Sequence, residues 1–240
     1  FSPLGPQLPE LIAGGGVAHS VAVAFDPEYS RNKTVYAASH CKKGATNASA
    51  IYRFTVGTSI AWESIGSMPV GAIIDRLMVS AGGTLYAVDS KTGGGVQRSL
   101  DPTYPLGPSF VATTSGLDSS AALTGLWIRN NQLWSADAAG NKLMGFADTL
   151  SVPVAIVAPA NSATGVDITN AKLDWKGLKG ATRYEWQLDY NTDFSSIPAA
   201  GFGGTTEGSS AVLPALQYAT KYYWRVRASE PVPSPWSDKQ

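Results

Sequence analysis

Val17, His19, Val21, Val23 and Phe25 fall on one period-two face and predict a half-buried strand with that face turned inward. Asp26-Pro27 opens a turn that runs through Asn32, and strands are predicted over 34–38 and 50–56. The same order returns further on, with a strand over 73–80, a tight turn at Ala81-Gly82-Gly83, and strands over 84–88 and 95–100. A third set follows: 124–129, a turn at Asn130-Asn131, then 132–136 and 142–146. Asn-Asn and Gly-Gly suit such hairpins because both dipeptides tolerate positive φ.

An aromatic beat marks the three sets. Thr34-Val-Tyr36-Ala-Ala, Thr84-Leu-Tyr86-Ala-Val and Gln132-Leu-Trp134-Ser-Ala place their rings 50 and 48 residues apart. A period of this size signals stacked supersecondary units, here all-β. Residues 1–16, with Pro3, Pro6, Pro9 and Gly14-Gly-Gly16, make an extended lead-in whose Leu11-Ile12 is expected to pair at a sheet edge. The repeat region is 17–150.

After residue 150 the pattern changes. Leu173-Asp-Trp175 alternates, as do Tyr184, Trp186, Leu188 and Tyr190, and then Tyr222, Trp224, Val226 and Ala228. Tyr223, Arg225 and Arg227 take the opposite face and are expected to form an ordinary solvated sheet surface. This is the inward–outward patterning of a two-sheet sandwich over 151–240, with Trp175, Trp186, Tyr222 and Trp224 as its core.

Composition agrees with an all-β globular chain of 240 residues: 44% are hydrophobic, 15% are charged, and there are 25 glycines and 15 prolines. Eighteen basic residues balance eighteen acidic ones, which argues against a nucleic-acid partner. No run of apolar residues is long enough to span a membrane as a helix. The single Cys41 permits no internal disulfide. The numbering begins at Phe1, which fits a processed or trimmed chain.

Two resemblances attach to these residues. Val21-Ala-Val-Ala-Phe25-Asp-Pro, Thr34-Val-Tyr36-Ala-Ala-Ser and Ile51-Tyr-Arg-Phe54 with Trp62-Glu-Ser-Ile65-Gly resemble BNR/Asp-box β-propeller repeats. Ser80-Ala-Gly82-Gly83-Thr84-Leu-Tyr86 is similar to an Asp-box that has lost its acidic turn. The resemblance implies a propeller-like region of about three blade-like repeats, fewer than the usual four to eight. In the C-terminal region, Leu216-Gln-Tyr-Ala-Thr220-Lys-Tyr222-Tyr-Trp224-Arg-Val226-Arg-Ala228 resembles the fibronectin type III fold, an immunoglobulin-like sandwich. Tyr222 stands where that family has its tyrosine corner, and Trp175 where it has an early-strand core tryptophan. Tyr218 replaces the usual proline. Ser234-Pro-Trp236-Ser resembles the approach to a last strand that the chain then lacks, which predicts an open edge near Gln240.

Candidate chemistry is sparse. Asp189-Tyr-Asn191-Thr-Asp193 has the oxygen spacing of a calcium loop, but Phe194 replaces its glycine and Ala200 its bidentate glutamate, so a turn is the better reading. His40-Cys41 has only His19 as a further histidine and no clustered carboxylate, and no metal or cofactor is expected. Arg31, Arg53, Arg76, Arg98 and Arg129 supply the residue type of a sialidase site without a spacing that gathers them. Trp62, Trp127 and Trp134 sit in strand patterns and are expected to pack inside. Asn32-Lys-Thr34 and Asn47-Ala-Ser49 match the N-glycosylation acceptor pattern.

The function expected from these features is a non-catalytic, extracellular structural protein. It would be a subunit of a microbial surface layer, appendage or filament, a homo-oligomer or polymer joined through sheet edges. A glycan- or protein-binding surface module is the alternative, and a fragment of a sialidase-like glycoside hydrolase the third reading.

Overall fold

A computed structural model of the chain describes residues 3, 5–9, 17–129, 132–195 and 201–239. It is all-β, in small antiparallel sheets of which none closes on itself. The chain divides into two compact units, Phe1–Asp148 and Thr149–Gln240. The expected pairing of Leu11-Ile12 and the turn at Asn130-Asn131 lie outside the described residues. Among the described residues no helix is long and apolar enough to cross a membrane.

The first unit contains three sheets. Sheet 1 joins β1 (Val17–Phe25), β2 (Thr34–Lys43), β3 (Thr46–Thr55) and β4 (Glu63–Ser67) in chain order. Sheet 2 joins β5 (Ile74–Val79), β6 (Leu85–Asp89), β7 (Gly95–Ser99) and β8 (Val111–Thr113) in the same way. Sheet 3 has β9 (Leu123–Arg129), β10 (Gln132–Asp137) and β11 (Lys142–Ala147), with β10 central. Tyr36, Tyr86 and Trp134 therefore each lie on the second strand of a sheet.

Turn chemistry sets the strand ends. Asp26 closes the β1–β2 connection, where its Oδ1 accepts from Glu28 N (2.9 Å) and Asn32 Nδ2 (2.8 Å). Its Oδ2 accepts from the Tyr36 hydroxyl at 3.0 Å. A single helical turn, α1 (Tyr29–Asn32), fits inside this loop. In the β5–β6 turn the acid is missing, and the Ser80 hydroxyl accepts from Thr84 N at 3.1 Å instead. Three residues after the beat aromatic, Asp89 and Asp137 play matching parts. Asp89 accepts from Ile73 N and Lys91 N, and Asp137 from Ala122 N and Ala139 N, so each ties the start of the first strand to the end of the second.

The three sheets stack face to face. Ala22, Ala24, Tyr36, Ala38 and Ile51 of sheet 1 pack on Ile74, Leu77, Leu85 and Ala87 of sheet 2. The other face of sheet 2, with Tyr86, Val88 and Val96, packs on Leu123, Leu126 and Leu133 of sheet 3. Small alanines on β1 let the neighbouring sheet approach closely. This reverses the expectation for β1: Ala22, Ala24 and Asp26 are buried, while Val21 (55% exposed), Val23 (55%) and Phe25 (56%) face outward.

The second unit has two three-stranded sheets packed as a sandwich. One joins β12 (Ile156–Ala158), β13 (Lys172–Trp175) and β16 (Ser210–Val212), with β13 central. The other joins β15 (Gly203–Thr206), β14 (Arg183–Asp189) and β17 (Tyr223–Glu230), with β14 central. Trp175, Trp186 and Trp224 are buried with Leu173, Leu188 and Val226, and the Trp175 ring meets that of Tyr184 at 5.6 Å. Tyr222 is half-buried, and its hydroxyl oxygen accepts from Gln217 N at 2.9 Å.

The expected open edge near Gln240 is corrected by the chain itself. Beyond β17 the backbone turns back along the strand, and Ser234 N and Ser237 N donate to Ala228 O and Val226 O. The same two serines accept through their hydroxyls from Ala228 N (3.0 Å) and Val226 N (3.1 Å). Trp236 then covers Arg225 and Arg227 at 4.3 and 4.4 Å. Arg225 also lies over Phe194 and bonds Gln187, and Arg227 bonds Glu185. Both arginines are half-buried, so this face is a stacked ladder and not the solvated surface expected of it.

Candidate interaction surface

A cross-strand pair recurs on the face that each sheet turns toward the next. Tyr36 on β2 is opposite Arg53 on β3, and Tyr86 on β6 is opposite Arg98 on β7. Both arginines reach into the segment that follows the third strand of the next sheet. Arg53 Nη1 donates to Pro102 O (2.9 Å), while Arg53 also forms a bidentate pair with Glu63. Arg98 pairs with Asp148 at 2.9 Å, and the Tyr86 hydroxyl donates to the same carboxylate at 2.7 Å. Burial first, and then the neighbouring carboxylates, push both phenols well above the ordinary tyrosine range. Burial lowers the Arg98 guanidinium from its usual value, against the pull of Asp148.

Sheet 3 breaks the pattern. The corresponding pair is Trp134 opposite Gly145, with Trp127 opposite Trp134 on the other side. Gly125 and Gly145 leave room for the two rings to lie flat: a Cβ on Gly125 would stand 2.7 Å from the Trp127 ring, and one on Gly145 3.1 Å from that of Trp134. This face is uncovered, with Trp127 57% and Leu143 68% exposed. Trp127 was expected inside. Nothing in its local pattern separates it from Leu126, which is buried, because a register shift in the β9–β10 pairing decides which of them faces in.

The opposite end of the stack is also apolar. Val21, Val23 and Phe25 share a face with Ala37, Tyr52 and Phe54, and the Phe25 ring meets the edge of Tyr29 at 5.0 Å. Gly5 and Pro6 lie over the far side of this face, where Tyr52 and Phe54 are buried. A Cβ on Gly5 would stand 2.8 Å from the Phe54 ring, and Trp62 Nε1 donates to Pro6 O at 2.8 Å. The β1 row stays open to solvent.

The residues singled out for chemistry do not gather. His40 is buried and bonds Asn47 Oδ1 at 3.2 Å, and Cys41 is buried beside Ser39. Asp189 Oδ1 accepts from Asn191 N and Asp193 Oδ1 from Ser195, which makes the calcium-like spacing a pair of turns. Among the described residues no group of three or more His, Cys, Asp or Glu could hold a metal ion. Of the arginines, Arg31 pairs with Glu28, Arg53 with Glu63 and Arg98 with Asp148, while Arg76 bonds the Asp75 carbonyl. Asn32 is half-buried and works within the Asp26 loop, its Nδ2 donating to Asp26 and its Oδ1 accepting from Thr34 N. Asn47 lies near the β2–β3 hairpin, opposite Lys42.

Sequence reasoning missed the interlocking role of Arg98 and Asp148, which are far apart in the chain and carry no local signal. It also missed Asp89 and Asp137, which do carry one, an acid three residues after the beat aromatic. Compared with protein-family models and with curated proteins, the chain matches none.

Proposed function

We propose that this chain is a non-catalytic structural protein, a subunit of an extracellular assembly such as a microbial surface layer, appendage or filament. In this reading the first unit is an incomplete propeller of three blades and the second a fibronectin type III-like sandwich. The chain-order sheets with their repeated Tyr–Arg pairs support the first assignment. The Tyr222 hydroxyl bonded to the backbone a few residues upstream, and the tryptophans enclosed between two sheets, support the second. The observation that carries the function is the open stack, whose two end faces leave Val21, Val23, Phe25, Trp127 and Leu143 in water. Electron microscopy of native cell-surface material, with antibody against the chain, tests it. Labelled ordered arrays or filaments are expected, and a dispersed monomer in that material overturns the reading.

Trp127 favours a second reading, a glycan-binding module. Its ring lies flat on Gly125 with more than half its surface free, the posture in which indoles stack on sugar faces. A glycan array probed with the wild-type chain and with Trp127→Ala decides it: binding lost in the variant supports a sugar platform, and no binding by the wild type removes it.

A further inference from the structure

We propose that the second unit binds a small amphipathic anion, a medium-chain carboxylate, in a cavity at one end of its sandwich. The site lies wholly within Thr149–Gln240 and is independent of the assembly role.

The cavity, of about 640 Å³, is enclosed between the β12–β13 connection and the chain between β16 and β17. Sites that take small organic ligands have volumes of about 300–1,000 Å³. Its floor is the sandwich core itself. Leu173, Leu188, Leu213 and Trp224 all line it, and each is at most 5% exposed. Such a floor favours the burial of a hydrocarbon body.

The sequence of the lips explains why nothing plugs this floor. The β12–β13 lip contributes Ala160, Ser162, Ala163 and Gly165, all exposed, with short side chains or none. A Cβ on Gly165 would meet nothing within 4 Å. Leu216 N donates to Ile168 O at 2.7 Å and ties this lip to the opposite one. Ser162 (φ 62°) and Ala219 (φ 51°), one on each lip, hold left-handed backbone without being glycine. Strain of this kind persists only where the surrounding structure fixes it, and here it shapes both sides of one opening.

Charge selects the head group. Among the described residues no Asp or Glu lines the cavity, and Lys221 is the one charged side chain that does. Lys221 is exposed, and its Nζ stands 4.8 Å over the ring of Tyr223, a further lining residue. No carboxylate among the described residues pairs with it. Asp167, beside the β12–β13 lip, accepts from Thr169 and Asn170 instead. A carboxylate head therefore stays at the wet rim near Lys221 while the tail reaches the leucines, since an unpaired charge on the floor would be costly.

The test uses the 240-residue chain and octanoate below its micelle-forming concentration, in titration calorimetry. One saturable site is expected, with octanol bound about fivefold more weakly and octyltrimethylammonium more weakly still. Methyl NMR should place octanoate at Leu173, Leu188 and Leu213. Lys221→Gln should cost octanoate about fivefold and leave octanol unchanged, the ceiling for an exposed ion pair. Ala163→Trp, which narrows the lip, should weaken both. Thermal melting checks each fold, and should Ala163→Trp melt early, Lys221→Gln at its exposed position still decides. The proposal is overturned by the absence of saturable binding, or by methyl shifts at Val21 and Val23 in place of the cavity. Unchanged octanoate affinity in Lys221→Gln, or equal affinity for octyltrimethylammonium, overturns it as well.

Discussion

Arg98 and Asp148 face each other across the seam between the second and third sheets, Nε to Oδ2 2.9 Å, with side chains 2% and 1% exposed. Tyr86 donates to the same carboxylate. A charge pair so enclosed is held by its geometry, and removing one member strands the other in a medium that solvates it poorly. Asp148→Ala is therefore expected to cost about 3–5 kcal/mol in urea unfolding. Arg98→Met combined with Asp148→Leu should lose clearly less than the two single losses together. Additive losses would mean that the two groups do not act as a pair.

The phenols give a spectroscopic prediction. Tyr36 and Tyr86 have raised pKa values in the folded chain, through burial and then their carboxylate neighbours. For such a group the neutral form is the one the fold favours. Its contribution is complete below the unfolded value of about 10 and is lost as pH rises from there toward the folded value. Absorbance titration at high pH should find these two tyrosines un-ionised until the first unit unfolds, and then ionising together. Tyr36→Phe with Tyr86→Phe should remove that late step.

On the acid side the sign is opposite. Backbone N–H groups of Ala122, Gly140 and Ala139 hold the Asp137 carboxyl below the usual carboxylate range. A depressed folded value stabilises above the unfolded pKa of about 3.9, and that stability is lost as pH falls through the folded value. Melting temperature should therefore drop below about pH 4, and Asp137→Asn should flatten part of that slope. An unchanged acid profile in the variant would show that Asp137 does not contribute to it.

Ser234 and Ser237 make a third kind of test. Their hydroxyls accept from Ala228 N and Val226 N, both removed from solvent on β17. Replacing each serine with alanine leaves a buried donor unmet, at about 1–3 kcal/mol apiece. Hydrogen exchange at Val226 and Ala228 should quicken in the double variant, and unaltered protection at those amides would contradict the bonding described.

The two sequons are not equivalent. Asn32 already spends its amide on Asp26 and Thr34, so a glycan there must first break the β1–β2 loop. When the chain is expressed in a glycosylating host, peptide mass spectrometry should find Asn32 unmodified. Asn32→Ala should still lower stability by about 1 kcal/mol, through the lost hydrogen bonds alone. Full occupancy of Asn32 in a folded product would refute this assignment.

The aromatic beat is legible in the sequence because a second strand enclosed between sheets needs a large side chain at a fixed place, and Tyr36 and Tyr86 fill it. The alternation in the second unit is equally plain, since Trp186 and Leu188 on β14 face Trp224 and Val226 on β17 inside one core. What local pattern mishandles is the choice of face. On β1 the bulkier set, Val21, Val23 and Phe25, looks like the inner one, yet close stacking on Ile74 and Leu77 selects Ala22 and Ala24. Arg98 looks like a solvated strand residue until a carboxylate fifty positions later closes over it. The chain beyond β17 looks too short to finish a sheet because serine hydroxyls, and not a full ladder, occupy that edge.

Asp148 is the final residue of its unit. Synthesis from the N-terminus therefore delivers every strand of the stack before the countercharge that secures Arg98. A chain ending at Ala147 would hold the eleven described strands of the first unit and lack the carboxylate that pairs with Arg98. The latch is the last part of the unit to be made, so the ion pair between the second and third layers can form only after every strand of both is present.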